Sequence, residues 1–401
     1  MQYLDTIPTP HGPVHIANRL QVESVPAWAN ALSHTRKDHR YYAIVEDTIL
    51  QGFEYLYFVI ENTAGEVQGI QPFFIHAQDL LAGAEGFGPR FVAGVRKAIP
   101  RFLTMRTLMI GCAAGEGHLD QRDDEQGGRI IAALQAALNI YAKRRRVSLI
   151  VFKEFMWDYR KPMEALRSSG YTRVPSLPST RLSIDYKDFE DFMTRALSKS
   201  ARRNLRRKFA KAEEFEPLEM SVVTDLTPYM LEAYPLYLQV FEKSTLQFEK
   251  LTPEYFTRIG AEMPDKARFF LWRQKGKLVA FSYCLVSGDE LWDEYLGLDY
   301  SVALDQHLYF TTLRDAMQWA MQNGFKWYCS GGQGFEPKLH LRCTLLPVDL
   351  YVKHRWPIAN AIMKRVLPLL EPTRNNEVIQ KFPNYVDVWG KSEEGVKREF
   401  S

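Results

Sequence analysis

The sequence predicts a mixed α/β protein made of two similar units in tandem, each a mixed, mostly antiparallel sheet flanked by helices. Three observations carry this expectation. The same order of elements, a hairpin, a third strand, a long helix and a further strand, occurs in both halves of the chain. Segments read as strands are rich in aromatic and β-branched residues, whereas segments read as helices keep apolar residues three and four apart. At 401 residues, 46% hydrophobic and 25% charged, the composition is that of an ordinary globular protein long enough for two cores.

In the first half, EYLYFVIEN and EVQGIQPFFI flank Thr63, Ala64 and Gly65 and read as a β-hairpin. A Gly-, Ala- and Phe-rich insertion of roughly thirty residues separates it from the strand RTLMIGC. The loop AAGEGHLDQRDDEQGG then leads into a helix on which Ile130, Ala133, Leu134, Ala137, Leu138 and Tyr141 keep helical spacing. The strand VSLIVFK follows, then a short helix from Pro162 to Ser169 that Gly170 ends, then a strand from Tyr171. In the second half, ARFFLWRQ and KLVAFSYCLV flank Lys275 and Gly276, and LWDEYLGL supplies the third strand. The polar loop DYSVALDQ opens the helix HLYFTTLRDAMQWAMQN, which stops at Gly324 before the strand FKWYC. The expected domains are residues 1–185, a basic helical connector over 186–220, and 221–401 with a C-terminal helix.

That connector carries the strongest charge signal. Eight basic residues and no acidic one lie from Arg195 to Lys211, so the remaining 43 Lys and Arg face 48 Asp and Glu and the positive field is local. As a helix the segment places Leu197, Ala201, Leu205, Phe209 and Ala212 on one stripe, with Arg195, Lys199, Arg202, Arg203 and Arg206 opposite. Like charges one turn apart repel, so a face of one sign points to an anionic ligand, with an ordinary solvated surface as the alternative. Phosphates of a cofactor, acidic lipid and an RNA backbone all suit it.

A net charge of +3 is too mild for a general nucleic-acid binder, and DNA is not an expected partner. No apolar run long enough to span a bilayer exists, and MQYLDTIPTPHGPVH lacks the features of a signal peptide, so a cytoplasmic protein that is not transmembrane is expected. Cys112, Cys284, Cys329 and Cys343 have neither CxxC spacing nor grouped histidines, so they read as buried thiols, with no metal site and no disulfide framework. Neither a Gly-x-Ser-x-Gly elbow nor a His-Glu-x-x-His motif is present, which weakens hydrolase and metalloenzyme readings.

The tandem order, the segment LSKSARRNLRRKFAKAEEF, the strand and loop DEYLGLDYS, and the stretch GFKWYCSGGQGFEPKLHLR together resemble the FemAB-like (BioF2-like) acyltransferases, which pair two units of the GCN5-related N-acetyltransferase (GNAT) fold. The resemblance covers about Leu50 to Arg355. It implies acyl transfer to an amine, with either an acyl-CoA donor or, as in the Fem enzymes, an aminoacyl-tRNA. It also implies a small-molecule or lipid-linked amine, such as a cell-wall precursor, as acceptor. The chain departs from single-unit acetyltransferases in lacking a glycine-rich phosphate turn: Ser301 to Gln306 contains no glycine, and Asp123, Asp124 and Glu125 crowd the first long helix. That departure also admits a binding module without turnover. Because RNA demands a broader basic surface than this chain offers, a coenzyme A thioester is the expected donor, with Lys199, Arg202, Arg203 and Arg206 as its phosphate contacts.

Transfer to an amine needs a base, an oxyanion stabiliser and an aligned slot. On the strand Leu291 to Leu298, alternation puts Asp293 and Tyr295 on one face, as substrate contacts, and Glu294 on the other. Either carboxylate could serve, and the resemblance favours Glu294 as base. Lys338, after the glycine-rich Ser330 to Gly334, is the candidate for the oxyanion, with Glu336 orienting it or the amine. Tyr328 is a candidate general acid, and His307, at a helix start, a second base. The segment WPIANAIMKRVLPLLEP reads as an amphipathic helix that docks internally, with a membrane surface or a dimer contact as the alternatives, and with Pro368 kinking or ending it.

Overall fold

The computed structural model describes residues 2–79, 104–244, 248–374 and 376–389. The Gly-, Ala- and Phe-rich insertion expected after the first hairpin lies almost wholly outside them. The chain divides into two compact units, one of residues 1–176 and 348–372, the other of 177–347 and 373–401. The boundary therefore falls at 176/177, the basic helix belongs to the second unit, and a strand and a helix near the C-terminus return to the first.

The first unit is built on one eight-stranded sheet: β1 (Asp5–Ile7), β2 (Val14–Ala17), β3 (Phe53–Glu61), β4 (Val67–Asp79), β5 (Thr104–Ile110), β6 (Leu149–Met156), β7 (Thr172–Pro175) and, from the far end of the chain, β15 (Val348–His354). Its order is β1-β2-β3-β4-β5-β6-β15-β7, antiparallel except where β5 and β6 run parallel. Helix α1 (Asp124–Arg144) covers one face. It begins earlier than its apolar pattern because Asp123 accepts a hydrogen bond from the Gln126 amide, so the acidic run that crowded this helix start is its cap. Its buried Ile130, Leu134, Leu138 and Tyr141 face the sheet, where Phe58 and Phe73 stack at 4.0 Å and meet the edge of Tyr141.

The second unit carries a seven-stranded sheet of β8 (Ser179–Ser183), β9 (Glu219–Val223), β10 (Ala267–Gln274), β11 (Lys277–Ser287), β12 (Glu290–Leu298), β13 (Trp327–Ser330) and β14 (Thr344–Leu346). Its order is β14-β8-β13-β12-β11-β10-β9, and here β12 and β13 are the parallel pair. The predicted hairpin turn at Lys275 and Gly276 places both residues at positive φ, 51° and 79°, the twist that tight hairpins need. On one face lie α2 (Phe189–Ala196), α3 (Lys199–Ala212) and α6 (Leu308–Gln322), whose buried Leu205, Phe209, Leu313 and Met317 join Phe270, Trp272 and Leu291 in one core. On the other face α4 (Met230–Lys243) and α5 (Pro253–Glu262) pack through an aromatic cluster of Tyr237, Phe256, Phe281 and Tyr283. Helix α4 approaches so closely that a Cβ on Gly297 would lie 2.9 Å from the Tyr237 amide nitrogen.

Two helices differ from expectation. The basic segment breaks at Leu197, and Ser198 caps α3 by accepting from the Ala201 amide, so Arg195 belongs to α2 rather than to the basic face. The C-terminal helix α8 (Pro357–Leu370) runs past Pro368, and its apolar stripe is exposed instead of docked.

Candidate functional site

The site grows from the place where β12 loses a neighbour. β12 pairs with β11 along its length but with β13 only from Glu290 and Trp327 to Asp293 and Ser330. Beyond that rung β12 continues to Leu298, while the chain after Ser330 turns through Gly331 to Gly334, with Gly334 at φ 65°, into α7 (Phe335–His340). The strands thus part at Asp293.

A bulge coincides with the parting. Tyr283 pairs with Tyr295 and the next rung joins Cys284 to Asp293, so Glu294 is an extra residue on β12. This overturns the expected alternation. Asp293 and Tyr295 end on opposite faces: Asp293 faces Ser282 and Tyr328, whereas the Tyr295 hydroxyl donates to Glu249 Oε1 at 2.8 Å among the aromatic residues of α4 and α5. Sequence spacing carries no trace of such a bulge.

Both Asp293 oxygens are engaged. Ser282 Oγ donates to Oδ1 and the Tyr328 hydroxyl to Oδ2, each at 2.5 Å, and Cys284 Sγ lies 3.9 Å from Oδ1. Burial raises the Asp293 carboxyl above its ordinary range, against the opposing pull of Ser282, Tyr328 and Lys338. Burial likewise lifts the Tyr328 phenol well above its usual value, with the Asp293 charge adding to it. Lys338 is buried, and its Nζ donates to the carbonyls of Gly331 at 2.5 Å and Gln333 at 2.6 Å. Burial lowers the ammonium to about 8, against the attraction of Cys343 and Asp293. Cys343, itself pushed by burial up to about 12, and Tyr309, raised by burial and then by Asp293, complete the enclosure. The arrangement is a protonatable acid, a phenol in contact with it and a cation within electrostatic reach, which are the parts proton transfer and oxyanion stabilisation require.

Among the sequence candidates, Asp293, Tyr328 and Lys338 come together, and Glu294 sits beside them on the bulge. Ser282, Cys284, Cys343 and Tyr309 were not foreseen, because only the register of β11 against β12 and the packing of α6 bring them in. Three candidates fall elsewhere. Glu336 is exposed on α7 and interacts electrostatically with Lys208, so it does not orient Lys338, whose ammonium two carbonyls already hold. His307 starts α6 at φ 49°, and burial, then Lys208, Arg207 and Lys211, lower its imidazole; these neighbours belong to α3 rather than to the Asp293 cluster. Tyr295 faces away, as described.

The basic face also sorts itself. Arg202 Nη1 donates to the carbonyls of Thr194 at 2.6 Å and Leu197 at 3.2 Å, closing the end of α2, and Arg206 pairs with Glu190. Neither is poised for a ligand. Lys199 and Arg203 stay exposed, while Lys208 lies 3.3 Å from the centre of the Phe310 ring, at the start of α6. Among the described residues no cluster of His, Cys, Asp and Glu could hold a metal, and no helix is long and apolar enough to cross a membrane.

Two units with this strand order, the second splitting at its parallel pair over a buried acid, phenol and lysine, define a tandem α/β protein with a candidate site in its second unit. The FemAB-like family model, described as peptidoglycan biosynthesis/recognition, matches residues 112–376, and the chain belongs to that family. Among curated proteins it is similar to the putative 8-amino-7-oxononanoate synthase 2 of two Mycobacterium tuberculosis strains, 20% identical over 353 residues that make up 84% of this chain and 45% of the relative. The chain thus spans about half the length of these relatives. Similar solved structures include L-PGS from Bacillus licheniformis, 12% identical, covering 92% of this chain and 99% of that one with a TM-score of 0.49. FemX is 12% identical over 79% of this chain and 95% of that one, with a TM-score of 0.46.

Proposed function

We propose that the protein is an N-acyltransferase that moves an acyl group from a coenzyme A thioester to an amine, with the chemistry in the second unit. One observation carries the reading: β12 and β13 part over Asp293, with Tyr328 bonded to it and Lys338 within electrostatic reach. The amine attacks the thioester carbonyl, a C–N bond forms, and its proton passes to Asp293, whose raised carboxyl makes it a better base than an ordinary aspartate. Lys338 stabilises the oxyanion. The C–S bond then breaks as Tyr328 gives its proton to the departing sulfur and recovers one from Asp293. Glu294, beside the parting strands, is the competing base.

For the donor phosphates, the start of α6 together with Arg207, Lys208 and Lys211 is better supported than the Lys199, Arg202, Arg203 and Arg206 set, since all three cations act on His307 at that helix start. The family's link to peptidoglycan supports an amine of a cell-wall precursor, free or lipid-linked, as acceptor. The test is the thermal midpoint of the protein with coenzyme A, acetyl-CoA, a long-chain acyl-CoA and an aminoacyl-tRNA, since a ligand of the native state raises it. A rise with a coenzyme A species supports this reading. A rise with aminoacyl-tRNA alone replaces the donor by the Fem type, and no rise with any of them makes the chain a binding module.

A further inference from the structure

Helix α8 presents an apolar stripe to solvent. Trp356, just before it, is 63% exposed, and Ile358, Ile362 and Val366, one turn apart, are 80%, 57% and 41% exposed. The opposite side is anchored to the first unit: Asn360 accepts from the His354 amide at 2.9 Å and donates to the Gly170 carbonyl at 2.9 Å. The stripe is therefore held outward by a helix that cannot roll over without breaking those bonds. Singly exposed apolar residues need no explanation, but four in a line over about three turns do.

The charge around the stripe says what covers it. From Leu350 to Leu370 the chain has Lys353, Arg355, Lys364 and Arg365 and not one Asp or Glu. In projection Arg365 falls about 20° to the other side of Ile358 from Ile362, at the edge of the exposed stripe, and its Nη1 donates to the Ala361 carbonyl of its own helix at 3.2 Å. A second copy of this helix packed on the stripe would meet Arg365 with no acid from Leu350 to Leu370 to pair with it, which disfavours self-association. A surface that is apolar beneath and anionic above complements both features. We propose that α8 is an interfacial docking helix that seats the protein on an anionic phospholipid bilayer, with the Trp356 to Val366 stripe at the headgroup boundary and Arg365 among the phosphates. This inference is independent of the donor and acceptor proposed above.

The experiment is co-sedimentation of the full chain with extruded vesicles of phosphatidylglycerol and phosphatidylcholine, against vesicles of phosphatidylcholine alone. Binding to the anionic vesicles that weakens as salt is raised, and that falls at least about tenfold in Ile358→Glu/Ile362→Glu, is the expected result. The second variant, Arg365→Gln, alters only an exposed side chain and should lower binding to anionic vesicles while leaving the thermal midpoint in place. No sedimentation of the wild type with either vesicle overturns the proposal. So does a dimer in sedimentation velocity that Ile358→Glu/Ile362→Glu dissolves, which would assign the stripe to a second copy. A fall in thermal midpoint for that variant, with vesicle binding unchanged, would assign it to cover by the chain itself.

Discussion

The two units share a strand order but treat the gap beside their parallel pair in opposite ways. In the second unit, β12 and β13 part at Asp293 and leave a buried acid, phenol and lysine around the opening. In the first, β5 and β6 pair from Thr107 and Leu149 to Ile110 and Phe152, and a further parallel bridge from Gly117 to Phe155 carries the contact on. Gly111 and Gly117 let the intervening loop close in, since a Cβ on Gly117 would lie 2.7 Å from the Lys153 carbonyl oxygen. Ion pairs fill what remains: Glu116 accepts from Arg36 and, at 2.8 Å, from Lys37, and Lys153 holds Glu154 at 2.6 Å. Burial opposes the charge on Glu154, but Lys153, Ser176 and Lys37 together hold its carboxyl below the usual range. The same architecture thus serves once as a sealed support and once as a proposed reaction site, and the difference lies in whether the charged groups pair directly with opposite charges or with neutral hydroxyls and carbonyls.

The sharpest way to break that comparison is Asp293→Asn, which should cut turnover by about 10²- to 10⁴-fold while the thermal midpoint stays near that of the wild type. Glu116→Gln in the first unit should do the reverse. It removes a carboxylate that two buried cations share, costing about 3 kcal/mol or less of stability, and leaves turnover per folded molecule intact. Activity lost with Glu116→Gln, or kept with Asp293→Asn, would dissolve the division of labour. Glu294→Gln decides between the two carboxylates and should cost less than Asp293→Asn.

Lys338→Gln should lower kcat by about 10²- to 10³-fold. The wild-type profile should also show an alkaline limb. With its ammonium lowered to about 8, Lys338 is charged below that pH and neutral above it, so kcat should fall as pH rises through about 8. A limb that persists in Lys338→Gln would belong to another group. A smaller effect is expected at the basic helix, where Arg207→Gln/Lys208→Gln should weaken acyl-CoA binding by about tenfold at low salt and less at high salt. Arg202→Gln should instead lower the thermal midpoint, since its contacts close α2.

Local signals were legible in the sequence. Both hairpins, both third strands, the two long helices and the tandem order follow from periodicity and turn residues, and Lys338, Tyr328 and Asp293 could be singled out from the stretches that carry the family resemblance. What stayed hidden depends on pairing between distant segments. The bulge at Glu294 is set by β11, and no residue of β12 announces it, so alternation misplaced Tyr295. Ser282 and Cys343 look like ordinary core residues until register brings them to Asp293 and Lys338. A cap serine also fits a continuous helix, so the break at Ser198 leaves no mark in the spacing, and Arg202 and Arg206 look available to phosphates because their partners Thr194 and Glu190 lie on α2.

The insertion of β15 between β6 and β7 sets a condition on synthesis. The first unit lacks an interior strand until the chain has been made as far as His354, so the first 176 residues emerge from the ribosome with β6 and β7 unpaired along their facing edges. Neither half can be cut out as a continuous fragment, and the strand that joins β7 to the rest of this sheet is translated only after the second unit's seven strands. A truncation at residue 185 removes the strand that joins two others, and such a fragment should aggregate rather than fold.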